Sequence, residues 1–266
     1  MSGPRLPSEN IGSILDLLFD DPQALKQFCL VSKSLVDRAR KHLFNHVMFE
    51  GPQSLNKWEK NFLDHKNSPA VHTRSLCFPH AEAFTKEDLS LIRLFTEVVR
   101  LEVRVSQEGF GGHEREDPLV PFHGLLSPQV KFLCVGWNRL ELCKVLDFVC
   151  SLPSLEDLRV VGPCRGRVGG EDEDISGYSH LSRLTGTLVL EHQYTSLSRK
   201  ISELPDRLRF QKIVWKEGFE MNPKAVRDLV EKCSETLKSI HIRCRALCSF
   251  APPPGSLTDS ICRKSN

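Results

Sequence analysis

No apolar run in the chain approaches the roughly 18 residues that a membrane helix needs. The opening stretch Met1 to Ser13 also lacks the apolar segment of a secretory signal. The expectation is an intracellular protein, cytoplasmic or nuclear, with no membrane partner. An excess of one charge is missing too, since 36 Lys+Arg face 34 Asp+Glu for a formal net charge of +2. Whole-chain attraction to nucleic acid or anionic lipid is therefore not expected. Among the ten cysteines there is no Cys-x-x-Cys pair, and no Asn-x-Ser/Thr sequon accompanies them. Scattered cysteines of this kind are expected as small buried hydrophobes in a reducing compartment.

Catalytic signatures are lacking as well. His42 and His46 lie one helical turn apart, but Leu43 stands where a zinc protease motif carries its Glu. Cys244 and Cys248 have no second ligand pair for a structural zinc, and Gly109 to Gly112 is not followed by the Lys-Ser/Thr of a phosphate loop. No local feature pairs one cysteine with one histidine as nucleophile and base. The sequence predicts no catalytic residue, no metal and no cofactor.

What is present is leucine, 36 residues of it in 266. Such a load favours an architecture that buries the same side chain repeatedly. An apolar-x-x-apolar-x-apolar run recurs at Val98/Leu101/Val103, Val130/Leu133/Val135, Leu155/Leu158/Val160, Phe210/Ile213/Trp215 and Leu237/Ile240/Ile242. Looser copies surround Leu76 and Leu188. The central positions 76, 101, 133, 158, 188, 213 and 240 are then separated by 25, 32, 25, 30, 25 and 27 residues. A strand at each centre and a helical or looped return between centres predicts an α/β solenoid, whose units must stack to bury their apolar faces. Helical returns are expected over Lys86 to Phe95, over Asn138 to Cys150, and after Asn222-Pro223. Two inserts rich in glycine and acid, Ser106 to Pro121 and Pro163 to Gly177, interrupt the rhythm and read as surface loops. The run closes without a clear cap, so its last strand is expected to be an exposed edge.

The first fifty residues have a different texture and read as three short helices. Ile11, Ile14, Leu15 and Leu18 share one face of the first. Asp21 and Pro22 open the second, which carries Leu25, Phe28 and Cys29. Ser32 can cap the third, with Leu35, Val36, Ala39 and Leu43 on one side. A short strand at His46 to Phe49 and a helix from Ser54 to Lys66 follow, the latter with Leu55, Trp58 and Phe62 on one face.

Leu6-Pro-Ser-Glu9, Ile14-Leu15, Leu30-Val-Ser-Lys33, Ala39-Arg40 and Leu43-Phe44 together resemble an F-box, and the continuation to Ser75-Leu76 resembles F-box-like proteins of mushroom-forming fungi. The resemblance covers roughly the first 80 residues. Asn10 stands where that family usually has an aliphatic residue, and Leu35 where it often has Trp. The resemblance implies a helical F-box-like module over 1–48 with an irregular leucine-rich-repeat-like domain over 49–250 behind it, while three successive prolines and then polar residues make the tail over 251–266 read as disordered. It further implies that Leu6, Pro7, Ile14, Leu15, Leu30 and Val31 face a Skp-family adaptor, and through it a cullin, in an SCF-type ubiquitin ligase. The repeat domain would then present an unknown target protein. A leucine-rich scaffold whose first helices merely cap the stack is the alternative.

From Arg199 onward there are 14 Lys+Arg and 8 Asp+Glu. Residues alternating with the buried strand positions would line the solenoid's open face. Glu102, Arg104, Arg159, Lys212, Lys238, His241 and Arg243 are the candidates there for contact with a target.

Overall fold

The computed structural model describes residues 7–31, 33–62, 68–105, 118–124, 128–136, 142–162, 176–191, 201–202, 208–216 and 223–243. Three helices come first, α1 (Ser8–Leu17), α2 (Pro22–Val31) and α3 (Lys33–Leu43). The Asp21 carboxylate accepts hydrogen bonds from the backbone N–H of Gln23 at 3.1 Å and of Ala24 at 3.0 Å, satisfying donors that the start of α2 leaves unpaired. Arg40, Lys41 and His42 occupy the last turn of α3, where positive charge suits the helix dipole. The unit's own core is small. Leu15, Leu25 and Ala39 are buried, with Leu18, Phe28, Cys29, Leu35 and Leu43 packed partly against them. Leu35 thus retains an apolar contact, while Asn10 is exposed.

The rest of the described chain forms one α/β layer structure. Its strands are β1 (His46–Met48), β2 (Ser75–Phe78), β3 (Arg100–Arg104), β4 (Phe132–Gly136), β5 (Asp157–Val161), β6 (Thr187–Glu191), β7 (Lys212–Lys216) and β8 (Ser239–Arg243). All pair in parallel, each with its neighbours in sequence, so the sheet runs from β1 to β8 in chain order and leaves those two as its edges. Helices α4 (Pro52–Asn61), α5 (Leu142–Cys150) and α6 (Pro223–Lys232) lie between strands. The returns from β2 to β3, from β3 to β4 and from β5 to β6 contain 3-10 turns. The stretch expected as helix over Lys86 to Phe95 is one of these, spanning Asp88–Leu94 and buried through Leu89, Ile92 and Phe95. A 3-10 turn climbs about 2.0 Å per residue against about 1.5 Å for α-helix, which crosses a short return in fewer residues.

Register explains why leucine repeats. Val47, Leu76, Leu101, Leu133, Leu158, Leu188, Ile213 and Ile240 stand side by side across the sheet. Two residues on, Phe78, Val103, Val135, Val160, Leu190, Trp215 and Ile242 form a second row. Both rows face the returns and are buried from β2 to β7. An aromatic group thickens the core at its first end, where Phe49 stacks on Phe78 at 5.7 Å and meets Trp58 edge-on at 5.8 Å. Phe44, between α3 and β1, packs on Trp58 and Phe62, and α3 contacts the turn Pro69–His72, so the helical unit sits against the return between β1 and β2.

A hydrogen-bond step marks the entrance of six of the strands. The carbonyl of Asn45 accepts two consecutive N–H groups, from Arg74 and Ser75. Those of Arg74, Val99, Lys131, Gly186 and Gln211 do the same for the first residues of β3, β4, β5, β7 and β8. Strand β6 departs from this. The Glu156 carbonyl takes only the Gly186 N–H, and the Asp157 carboxylate accepts from the Thr187 N–H. This crowding requires glycine at 186, since a Cβ there would lie 2.9 Å from the Glu156 carbonyl oxygen as well as against the Asp157 carboxylate. Gly186→Ala is expected to destabilise the chain by about 1 to 3 kcal/mol, as overpacking does, read as a lowered denaturation midpoint in urea.

No helix among the described residues is long and apolar enough to cross a membrane.

Candidate functional site

Two surfaces stand out, one on the helices and one on the sheet. A helical unit with three fully buried apolar residues cannot enclose the rest of its apolar side chains. Ile14 is 40% exposed, Leu17 78%, Phe19 66%, Leu30 80% and Val31 78%. All five lie in or just after the last turns of α1 and α2. Pro7 is exposed, and Leu6 lies outside the described residues. Leu15 does not join this surface. It is 0% exposed, held against the small core, because its side of α1 turns toward Leu25 and Ala39. Leu17 and Phe19 were not singled out by the sequence pattern. They fall off the apolar stripe of α1, and that misfit was itself the available signal.

An ionic clasp orients α1 on α3. Arg38 donates to Asp16, with Nε to Oδ1 at 3.0 Å and Nη2 to Oδ2, and His42 Nε2 lies 2.8 Å from Asp16 Oδ1. Gly12 makes room for it, since a Cβ there would lie 2.7 Å from Cζ of Arg38. Hydrogen bonds from Arg38 and then His42 hold the Asp16 carboxyl well below the usual carboxylate range. A lowered pKa in the folded state means the clasp contributes fully above the ordinary value of 3.8 and is lost as the pH falls from there toward the folded-state value. Asp16→Asn is expected to flatten the dependence of melting temperature on pH between pH 5 and pH 2, measured against the parent chain.

His42 is thus bound to Asp16, and the Nδ1 of His46 lies 2.9 Å from Oγ of Ser75. Neither pairs with the other as metal ligands would. Cys244, Cys248 and the glycines at 109, 111 and 112 lie outside the described residues.

The second surface is the face of the sheet turned away from the two core rows. Its central row reads Met48, Cys77, Glu102, Cys134, Arg159, Val189, Val214 and His241, by the same strand register. Toward β3 and β6 this face is neutralised internally. Arg104 pairs with Glu102 at 2.5 Å, Arg159 Nη2 donates to Glu191 Oε2 at 2.8 Å, and Lys216 forms an ion pair with Glu191 Oε1. Burial pushes the Glu191 carboxyl up, but hydrogen bonds from Lys216 and Arg159 outweigh it and hold the group below its ordinary value. Arg100 lies over the Phe132 ring with Cζ at 4.0 Å from the centroid. Beneath the long side chains, Cys77 and Cys134 are buried, and desolvation pushes each thiol up to about 11. Cys150 and Cys233 are raised to about 11 by the same cause, so these four remain protonated at neutral pH.

Of the residues expected on this face, Glu102, Arg104 and Arg159 are engaged with neighbours. Lys212, Lys238, His241 and Arg243 are exposed, and none of the four has a charged partner among the described residues. Glu191 and Lys216 are additions. Each stands three residues beyond a central apolar position, Leu188 and Ile213, and that offset was readable in the sequence.

No protein-family model matches the chain, and no curated protein matches it.

Proposed function

We propose that the chain is a substrate-recognition adaptor of an SCF-type ubiquitin ligase, with an F-box-like module over 1–48 and a leucine-rich-repeat-like solenoid over 49–250. The observation that carries this reading is the exposed apolar set Ile14, Leu17, Phe19, Leu30 and Val31 on so small a helical unit. Large exposed apolar side chains, so many on a small unit, mark a protein partner. Leu30, Val31, Ile14 and Pro7 coincide with positions that the F-box resemblance assigns to a Skp-family adaptor. The solenoid reading is supported by strand order equal to chain order and by the repeated entrance hydrogen bonds, as expected when like units stack one on the next. Target binding falls to the sheet face carrying Lys212, His241 and Arg243, with a cullin reached through the adaptor.

The contact of α3 with the turn Pro69–His72 favours a second reading, in which the helices only cap the stack of a non-ligase scaffold. Titration of a purified Skp-family adaptor into the intact chain, followed calorimetrically, separates the two. Saturable binding at micromolar concentration or below supports the adaptor reading. No binding by the folded chain sinks it and leaves the scaffold.

A further inference from the structure

Strand β8 combines three features that no earlier strand combines. Its outer edge pairs with no strand among the described residues. Its core-row residues, Ile240 and Ile242, are 41% and 43% exposed, whereas their register partners Ile213 and Trp215 on β7 are 1% and 2% exposed. Its other face carries His241 and Arg243 exposed, and Lys212 and Lys238 stand exposed beside its start. No carboxylate stands on either face of β7 or β8. A strand end that is unpaired, apolar on one face and basic on the other is a template for one more strand of complementary pattern.

We propose that β8 is the docking edge for an extended segment of a partner protein in which apolar and acidic residues alternate. In an extended segment the side chains alternate between faces, and successive ones on a face stand about 6.6 Å apart, the spacing of the rows they would join. Its apolar side chains would cover Ile240 and Ile242 and lengthen the two core rows. Its acidic side chains would meet His241 and Arg243 on the other face. Backbone pairing supplies affinity, and the alternation supplies direction and register.

Charge complementarity selects this occupant over two others. Residues 244–266 contain Asp259 as their sole acid, against Arg245, Arg263 and Lys264. A second copy docked edge to edge would set the His241 and Arg243 of one chain against the same basic strand of the other. Nucleic acid would gain no stacking platform, because the outward faces of β6, β7 and β8 carry no Phe, Tyr or Trp. The inference deepens the target-binding half of the proposed function and does not depend on adaptor docking.

The test uses the intact chain and a fluorescein-labelled peptide of four Val-Glu repeats, read by anisotropy. Saturable binding is expected, lost with a Val-Lys repeat peptide and at least tenfold weaker when a central residue of the Val-Glu peptide is replaced by proline. The double variant His241→Glu/Arg243→Glu, whose substitutions lie on an exposed face, should weaken binding at least tenfold with an unchanged melting temperature. Equal binding of octa-glutamate would overturn the proposal by showing diffuse charge capture. A concentration-dependent dimer in sedimentation that excludes the peptide would overturn it in favour of a second copy, and absence of peptide binding by the monomer would overturn it outright. Adaptor binding without peptide binding defeats this inference alone, while peptide binding without adaptor binding defeats only the ligase reading.

Discussion

Leu133→Asp is expected to abolish cooperative unfolding of the chain, seen as a flat thermal trace in circular dichroism where the parent melts. Leu133 is 0% exposed and sits mid-sheet between Leu101 and Leu158 in register. Truncating a buried leucine already costs about 2 to 5 kcal/mol. Asp adds a carboxyl with no hydrogen-bond partner in an apolar row, for at least about 1 to 3 kcal/mol more. Domains of this kind are stable by only about 5 to 15 kcal/mol, so the sum reaches the whole of it. Leu133→Ala should retain a transition at a lower midpoint. A melting curve for Leu133→Asp that overlays the parent's would show that the row is not the core.

Leu30→Asp/Val31→Asp is expected to have the opposite profile, with the melting temperature kept and binding of the proposed Skp-family adaptor reduced at least a hundredfold. The two side chains are 80% and 78% exposed, so the free chain loses little by their replacement. Covered by a partner, each would be worth about 1.5 to 3 kcal/mol. Together that exceeds the roughly 2.8 kcal/mol that corresponds to a hundredfold in affinity. Unchanged affinity would remove these residues from the contact. Leu15→Asp is the wrong probe for the same question. Leu15 is 0% exposed, and a charge there would take away one of the three residues that form the helical core, confounding lost binding with lost structure.

The strand centres were legible for a simple physical reason. A parallel sheet whose units succeed one another places equivalent residues of each unit next to each other, so the spacing of Leu76, Leu101, Leu133, Leu158, Leu188, Ile213 and Ile240 is written once per unit. Strand β1 escaped the count because it is three residues long and lacks the full six-residue pattern. The N-cap Asp21 was equally legible, since capping is decided within four residues. The return over Asp88–Leu94 was legible as helical in period but not as 3-10, because that depends on the distance to be crossed.

Sites were less legible than elements, and the reason lies in what determines exposure. Ile14 and Leu15 are adjacent, equally apolar and both within the resembling motif, yet one is 40% exposed and the other buried. Which of them faces outward is set by how α2 and α3 close over α1, and no local pattern carries that. Arg159 and Arg243 likewise stand on the same face of the sheet, one row apart. Only the placement of Glu191 on the neighbouring strand neutralises the first and leaves the second open to solvent. The sequence by itself determined the α/β class, the strand centres, the cap of α2 and the basic character of the last units, all of which are encoded in residues close in the chain or in a repeat of fixed form. The tertiary structure alone decided which apolar side chains are left for a partner and which charges are already paired, because these follow from contacts between residues far apart in sequence.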